Sequence, residues 1–464
     1  MSIKMAGNAA PPVCPFCQGH LDSEGYEMAQ VTPEPEGVVD AKGMSSVEYN
    51  PPRSMFGISI AVLSIFLLAV AVYLKMHNTI YFWYQPWINT YSILVGIFIL
   101  SRFLIAAFYV PPPDVGYVPD VTVVVACMNE EDSIERTIGR IYSEGYPHEK
   151  LEVVVVNDGS TDNTLEEMMK AQGRHRNLLV ANFEENKGKR PGMAIGALLA
   201  RGEVLVYVDS DSFLQPGSIY KVVQGLADPT VAGVSGHTDV ENVKKNTLTK
   251  MQDVRYFVSY RIMKAAESIF GAVSCCPGCF SAYRRSCVLN VLNTWLHQKF
   301  LGKLATYGDD RALTNYLLRR YRVLYDDQAI ATTIVPERWK KYVTQQCRWK
   351  RSWLREIFFA GKFFWRKHPI AAISWYSMMI LPLISPLVMF SALIIGPIFY
   401  GHPAAFYLGG VVVVSLLWSL YYLEKTGRPH WWTGFVFTLS YIFFFSVQGY
   451  YALFTLRRTT WGTR

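Results

Sequence analysis

Charge is scarce in this sequence. Asp, Glu, Lys and Arg make up 18 % of its 464 residues, against 51 % hydrophobic, a balance that excludes a pair of ordinary soluble domains and calls for membrane segments. A disulfide framework is also lacking. Of the eight cysteines, Cys275, Cys276 and Cys279 crowd one segment and the others are scattered, so reduced thiols in a cytosolic domain are expected. Cys14-Pro-Phe-Cys17 has the spacing of half a zinc ribbon, but no second Cys or His pair follows in that segment; an unmetallated tail is expected. No signal peptide is read, because the first apolar run begins only after residue 54. The net charge of +8 does not indicate nucleic acid, given where the charge sits. Residues 338–367 hold ten Lys or Arg against one acid, Glu356, interleaved with Trp339, Trp349, Trp353 and Trp365. Basic and aromatic residues alternating just before an apolar run suit helices lying at a bilayer surface.

What is present falls into six stretches. Residues 1–54, rich in Pro, Gly and acids, read as a disordered cytosolic tail. Two spans of bilayer length follow, 55–74 and 91–109. The loop between them carries a single Lys, so it is expected outside, with the basic region after residue 109 in the cytoplasm. Arg102 is costly inside the second span; it is expected to snorkel, to pair with another helix or to line a polar path. Residues 110–337 read as a soluble α/β domain, and 338–368 as the interfacial stretch. In 369–456, residues 370–400, apolar but interrupted by Pro382 and Pro386, form a kinked span, and 404–423 a clean one. Residues 431–456 are expected to be re-entrant or interfacial, with Gln448-Gly449 as a break in the helix. The stretch 457–464 ends the chain.

Within 110–337, Val121–Cys127, 151–157 and Val204–Val208 are short β-branched runs apolar on both faces, as in a central parallel sheet. Ligands of such sheets sit at the carboxyl ends of the strands. Three acidic or amide clusters stand there: Cys127-Met-Asn-Glu130, Asn157-Asp158-Gly-Ser-Thr-Asp162 and Asp209-Ser-Asp211. Carboxylates crowded in this way repel one another, and a divalent cation with a nucleotide diphosphate would account for them. Asp-x-Asp suits a hard cation whose other positions are filled by phosphate oxygens. Asn186-Lys-Gly-Lys-Arg190 precedes the helical run 191–200, a Gly-flanked basic turn fit for an anion. Tyr307-Gly-Asp-Asp-Arg311 opens another helix, and Gln345-Gln-Cys-Arg-Trp349 lies in the basic amphipathic stretch.

In this order, Asn129-Glu130, Asn157-Asp158-Gly159, Asp209-Ser-Asp211, Gly308-Asp-Asp-Arg311, Gln345-x-x-Arg348-Trp349 and Trp461-Gly-Thr-Arg464 resemble the processive β-glycan synthases of glycosyltransferase family 2. The resemblance runs from about residue 55 to the end and is strongest toward chitin, chitooligosaccharide and hyaluronan synthases. Cys276-Pro-Gly-Cys-Phe-Ser281 is similar to a chitin synthase segment and departs from the Gly-Pro-Leu of hyaluronan synthases. Tyr307-Gly-Asp-Asp-Arg311 and Ser268-x-Phe270-Gly271 are similar to the hyaluronan synthases. Met263-Lys-Ala-Ala-Glu-Ser268 departs from their Glu-Arg-Ala-x-Gln-Ser.

The resemblance implies a membrane α-helical protein with a cytosolic α/β domain of the glycosyltransferase-A type, in the plasma membrane, multi-pass. Asp310 would be the base that takes the proton of the acceptor hydroxyl, within hydrogen-bond reach, with Asp309 in support. Asn129, Glu130, Asp158, Lys189, Asp209, Gln345 and Arg348 would face the nucleotide and its diphosphate, and Asp211 would hold Mn²⁺ or Mg²⁺. Trp349, Cys276 and Cys279 fall on the acceptor side, and Trp461 and Arg464 in a gating segment. The partners implied are a UDP-sugar, a growing polysaccharide and the lipid bilayer. The expected activity is polymerisation of N-acetylglucosamine from UDP-GlcNAc into chitin. Hyaluronan synthesis, with UDP-glucuronate as second donor, is the alternative. A nonprocessive lipid-sugar synthase would lack the Gln345–Trp349 and Trp461–Arg464 motifs, and an inactive membrane receptor would lack a carboxylate.

Overall fold

The computed structural model describes residues 86–458 except 402 and 403, together with the strand Ile3–Met5 and the helical residues Phe66, Ala69, Val70 and Tyr73. Cys14, Cys17, most of the expected first span, Trp461 and Arg464 lie outside the described residues.

The soluble part is built on one nine-stranded sheet. Its strands are β1 (Ile3–Met5), β2 (Val121–Cys127), β3 (Leu151–Asp158), β4 (Leu178–Phe183), β5 (Val204–Val208), β6 (Ser212–Leu214), β7 (Val231–Val240), β8 (Phe280–Arg284) and β11 (Arg322–Thr333). A small hairpin, β9 (Lys299–Phe300) with β10 (Lys303–Leu304), stands apart. The order is β1-β4-β3-β2-β5-β8-β7-β11-β6. Strands β4, β3, β2 and β5 run parallel, β8 runs antiparallel between β5 and β7, and β11 returns parallel to β7. The chain leaves β2 toward β3 and β4, then comes back to place β5 on its other side. That reversal opens a crevice at the carboxyl ends of β2 and β5.

The three β-branched runs are the observed β2, β3 and β5, and their composition explains why. Every residue of β2 and β5 is buried, because alternate side chains serve opposite faces. Val124 and Tyr207 pack on one face with Trp295 and helices Lys189–Leu199, Arg285–Leu296 and Asp309–Leu318. Val123, Val125 and Val206 pack on the other with helices Ile134–Tyr142 and Ser218–Gln224. The expected tail contributes Ile3–Met5, which pairs antiparallel with β4 at the sheet edge.

Four helical segments among the described residues are long and apolar enough to cross a membrane: Pro86–Ala106, Pro369–Tyr400, Tyr407–Thr426 and Thr433–Phe454. The expected span over 370–400 is one helical segment that does not end at Pro382 or Pro386. Helix Pro369–Phe390 runs through both prolines, and a π-turn, Ser391–Ile395, follows. In an apolar helix the carbonyls freed by proline are re-satisfied locally, so proline does not end it. Gln448-Gly449 is not a break either. Helix Ser446–Phe454 continues through it, Gln448 Nε2 donates to Val343 O at 2.8 Å, and the irregular turn lies earlier, a π-turn at Tyr441–Phe445.

Two junctions tie these helices to the soluble part. After β7, helix Thr247–Val258 starts with a capping box, the Asn246 side chain accepting from Thr249 N–H, and continues through a π-turn, Ser259–Lys264, into Ala265–Ser268. Its buried Asp253 accepts from Tyr422 and from Arg428 Nη1 at 2.8 Å, with His430 Nε2 at 2.9 Å. The amphipathic stretch is a single helix, Trp339–Ala360, then a 3-10 turn, Phe364–Arg366. Helix Thr433–Phe454 lies along it, with Tyr342 against Phe445, Lys350 over Tyr441 and Arg351 Nε donating to Thr455 Oγ1 at 3.0 Å.

Candidate active site

The loops after β2 and β3 are tied together before any ligand is considered. Asn129 adopts φ 54° and accepts Thr161 N–H at 2.9 Å, while its own N–H donates to Ser160 Oγ at 3.0 Å. Glu130 N–H donates to Thr164 Oγ1 at 2.8 Å, and Glu130 Oε2 accepts from Ser133 Oγ at 2.9 Å. Gly159, at φ 66°, lets the β3 loop pass under residues 185–186; a Cβ there would stand 2.5 Å from Asn186 N. The basic turn that follows was expected to bind an anion from outside. The anion at its backbone is internal: Asp158 accepts from Lys187 N–H at 2.7 Å and Gly188 N–H at 2.9 Å.

Successive residues of helix Lys189–Leu199 then reach two different carboxylates. Lys189 pairs with Asp209 at the end of β5. Its ammonium pKa is raised: burial pulls it down, and the Asp209 carboxylate more than offsets this. Arg190 pairs with Asp309 at 2.8 Å, both side chains almost fully buried. Arg190 Nη1 also donates to Trp295 O at 2.8 Å, and Trp295 Nε1 donates to Asp309 O at 3.0 Å. Asp309 is therefore engaged inside the protein, and Asp310 is its partly exposed neighbour on the cavity. One Asp310 oxygen accepts Arg311 N–H at 2.8 Å, and the other is 3.9 Å from Cys275 Sγ. Gly308, at φ 72°, turns the chain into this helix beneath Ser352 and Arg355; a Cβ would stand 3.0 Å from the Arg355 guanidinium.

The Cys276-Pro-Gly-Cys segment lies across the Lys189–Asp209 pair. A Cβ on Gly278 would be 2.8 Å from Asp209 Oδ1 and 2.9 Å from Lys189 Nζ, so only glycine fits without displacement. The segment is held from the helix before it: Glu267 accepts from Ser274 N–H at 3.0 Å and Oγ at 2.9 Å, and Lys264 donates to Cys275 O. The intervening π-turn sets the register of these two side chains; such turns recur at functional sites. Cys276 is corrected here. It is fully buried in the core beneath the site, its N–H donating to Thr314 Oγ1 at 3.0 Å, and Cys275 faces the cavity instead. Burial, then the carboxylates of Asp209 and Asp211, push the Cys279 thiol well above its ordinary range, keeping it neutral.

All of this opens on one cavity of about 2100 Å³. Asn129, Glu130, Asp158, Lys189, Asp209, Asp211, Cys279, Asp309, Asp310, Gln345, Arg348 and Trp349 line it. So do Arg102, Tyr91, Leu381, Tyr407, Tyr441 and Tyr450 from the apolar helices. Arg102, costly in its helix, donates to Ser374 Oγ on helix Pro369–Phe390 and faces this cavity. Sequence reasoning missed Arg190, Gly278, Lys264 and Glu267 as site-building residues. All four stood in quoted motifs, but the Arg190–Asp309 contact is long-range, and those of Lys264 and Glu267 depend on a π-turn that no local periodicity shows.

Residues 122–292 match the glycosyl transferase family 2 model. These residues form a family 2 glycosyltransferase domain. Hyaluronan synthase of Streptococcus pyogenes is 28 % identical over 426 residues, covering 88 % of this glycosyltransferase and 98 % of the relative. An N-acetylglucosaminyltransferase of Rhizobium meliloti (strain 1021) is 34 % identical over 252 residues, 54 % of this chain and 59 % of the relative. The fold is shared with a mannosyltransferase from Pyrobaculum calidifontis solved in complex with GDP-Man and Mn²⁺, at a TM-score of 0.53 and 22 % identity, covering 82 % and 99 % of the two chains. With four helices among the described residues long and apolar enough to cross a membrane, the glycosyltransferase is a membrane protein.

Proposed function

We propose that this protein is a processive, inverting transferase that takes N-acetylglucosamine from UDP-GlcNAc on the cytoplasmic face, extends a β-linked polysaccharide and passes it across the plasma membrane. The observation that carries the reading is the single cavity running from Asp209, Asp211 and Asp310 to residues of the apolar helices. A transferase that released each product to the cytosol would need no such continuation.

Asp158, Gln345, Arg348 and Lys189 are assigned to the nucleotide and its diphosphate, with Asn129 and Glu130 shaping the loops around them. Among the described residues no three His, Cys, Asp or Glu side chains converge as a metal cage. Two carboxylates after β5 nevertheless suit Mn²⁺ or Mg²⁺, which are commonly held by one or two carboxylates plus substrate phosphates. Asp209 is drawn toward Lys189, so Asp211 is assigned as the ligand. Such an ion, when bound, would offset the charge of the departing diphosphate. Asp310 accepts the proton of the acceptor hydroxyl as its oxygen attacks the anomeric carbon; the bond from that carbon to the diphosphate breaks, and UDP leaves. Trp349 gives the acceptor sugar a flat apolar face, and Cys279 borders it. Trp461 and Arg464 are assigned to gating.

The Pro-Gly-Cys-Phe-Ser segment favours chitin as the product. Hyaluronan is the second reading, favoured by the relative's alignment over 98 % of its length. The test is to incubate purified protein with UDP-GlcNAc, with and without UDP-glucuronate, and to digest the product with chitinase or hyaluronidase. Polymer sensitive to chitinase from UDP-GlcNAc alone supports the first; a requirement for both donors and sensitivity to hyaluronidase supports the second. Release of free sugar without polymer would overturn processivity.

A further inference from the structure

The membrane side of the cavity contains two cations that the proposed donor chemistry does not use. Arg255, on helix Thr247–Val258, holds its guanidinium 5.2 Å from the Trp349 ring centre and 5.9 Å from that of Phe437. Its side chain donates to Tyr342 Oη at 3.4 Å. Lys350, next to Trp349 on helix Trp339–Ala360, places its ammonium 5.1 Å from the Tyr441 ring centre. Both line the cavity, and among the described residues neither forms an ion pair with a carboxylate. Burial, then the Arg255 charge, lowers the Lys350 pKa to about 8, against a smaller opposing effect from Cys347. Two like charges are thus held near each other, both partly buried, with aromatic faces as their neighbours. Such an arrangement disfavours the charged forms unless an anion enters. A cavity lined by one sign of charge also concentrates the opposite sign.

We infer that Arg255 and Lys350 form an anion subsite beside Trp349 that takes the carboxylate of a uronic acid residue in the growing polysaccharide. The inference rests on the proposed reading of Trp349 as the acceptor platform and selects between its two products. Arg255 lies over the Trp349 ring and Lys350 follows Trp349 on the same helix, so a sugar at this tryptophan has both cations as neighbours. An uncharged polymer makes no use of two cations so placed. One that carries a carboxylate on every second sugar neutralises them as each unit passes. A lipid phosphate has the same charge, but the pair opens on the cavity shared with Asp310, and the experiment separates the two sources.

The probes are a hyaluronan hexasaccharide and chitohexaose, titrated against the full-length protein in an uncharged detergent at pH 7. Wild type is expected to bind the uronate-containing probe at least ten-fold more tightly. Lys350→Gln and Arg255→Gln should each erase most of that preference, and Lys350→Arg, which keeps the charge, should retain it. The preference should also shrink as pH rises through about 8, where Lys350, faced by Arg255, Tyr441 and Cys347, loses its proton. Equal affinity for the two probes in wild type overturns the subsite, as does a preference that survives both Gln substitutions. Displacement of the hexasaccharide by phosphatidylglycerol assigns the pair to headgroups, and displacement by UDP assigns it to the diphosphate; either result overturns the proposal. Should chitohexaose bind as well as hyaluronan while polymer is made, only the subsite falls. If neither probe binds and no polymer forms, the transferase reading falls with it.

Discussion

Asp309 and Asp310 are adjacent in sequence and opposite in circumstance. Asp309 is consumed by Arg190, whereas Asp310 keeps an oxygen facing the cavity beside a neutral thiol. Their environments divide the pair as the proposed chemistry requires. Asp310→Asn should retain UDP binding and lose about 10²–10⁴-fold in turnover, since general-base catalysis contributes roughly that much; near-normal turnover in a steady-state assay would refute the assignment. Asp211→Ala should weaken UDP binding only when Mn²⁺ is present, and an isotherm identical to wild type would count against the metal role. A third residue gives a stability test. Burial raises the Asp326 carboxyl from 3.8 to about 7. The folded protein then holds this proton where the unfolded chain has released it. Stability therefore falls as pH rises from about 4 to 7, and the full penalty remains above 7. Asp326→Asn keeps an acceptor for Gln328 N–H, now at 2.8 Å, and carries no charge. Its melting temperature should exceed wild type at pH 8 and match it near pH 4; an equal gain at both would refute the titration argument.

Among elements, strands were the most legible. β2, β3 and β5 are uniform β-branched runs buried on both faces, and both their extent and the acids at their ends were readable within a residue. The antiparallel insertion of β8 between β5 and β7 was not, because sheet order is set by long-range pairing that leaves no local periodicity. Pro382 and Pro386 did not hide the span they interrupt: in water either would end a helix, and in an apolar setting the helix runs through both. The Arg190–Asp309 bond joins residues 119 apart, so no spacing rule could suggest it. The junction at Asp253 was equally hidden. Its carboxylate is shared by Tyr422, Arg428 and His430, and it is buried beneath the loop that joins two apolar helices. Asp253→Asn would leave Arg428 facing a neutral amide. Breaking a fully buried ion pair costs about 3–5 kcal/mol, and with Arg428 partly exposed to solvent the cost is smaller, so thermal unfolding should begin a few degrees lower, and an unchanged melting curve would show the junction to be dispensable.

For the whole molecule, the question is how many times the chain crosses. Hydropathy alone makes Thr433–Phe454 a span. Its surroundings support the interfacial reading. The loop before it touches Asp253 of the soluble part, and beyond its far end Arg458 O accepts from Tyr307 Oη at 2.9 Å, next to the Gly308-Asp-Asp turn. Between these ends it follows the basic helix Trp339–Ala360. We therefore predict that a cysteine placed at Thr463 in intact cells resists an impermeant thiol reagent and reacts after permeabilisation. Prompt labelling from outside would remove both the interfacial helix and the gating role of Trp461.

One feature of the site also bears on timing. Lys189 and Arg190 are consecutive, yet the first grips a carboxylate after β5 and the second grips the residue beside Asp310. On the proposed assignment, the step from the leaving-group side of the reaction to the proton-accepting side is one peptide bond of a single helix start. A donor that pulls Asp209 away from Lys189 frees the ammonium for its own phosphates and loads the same turn that anchors Asp309. Filling the donor pocket and setting the base then become one event, so an empty pocket is also an unprimed one.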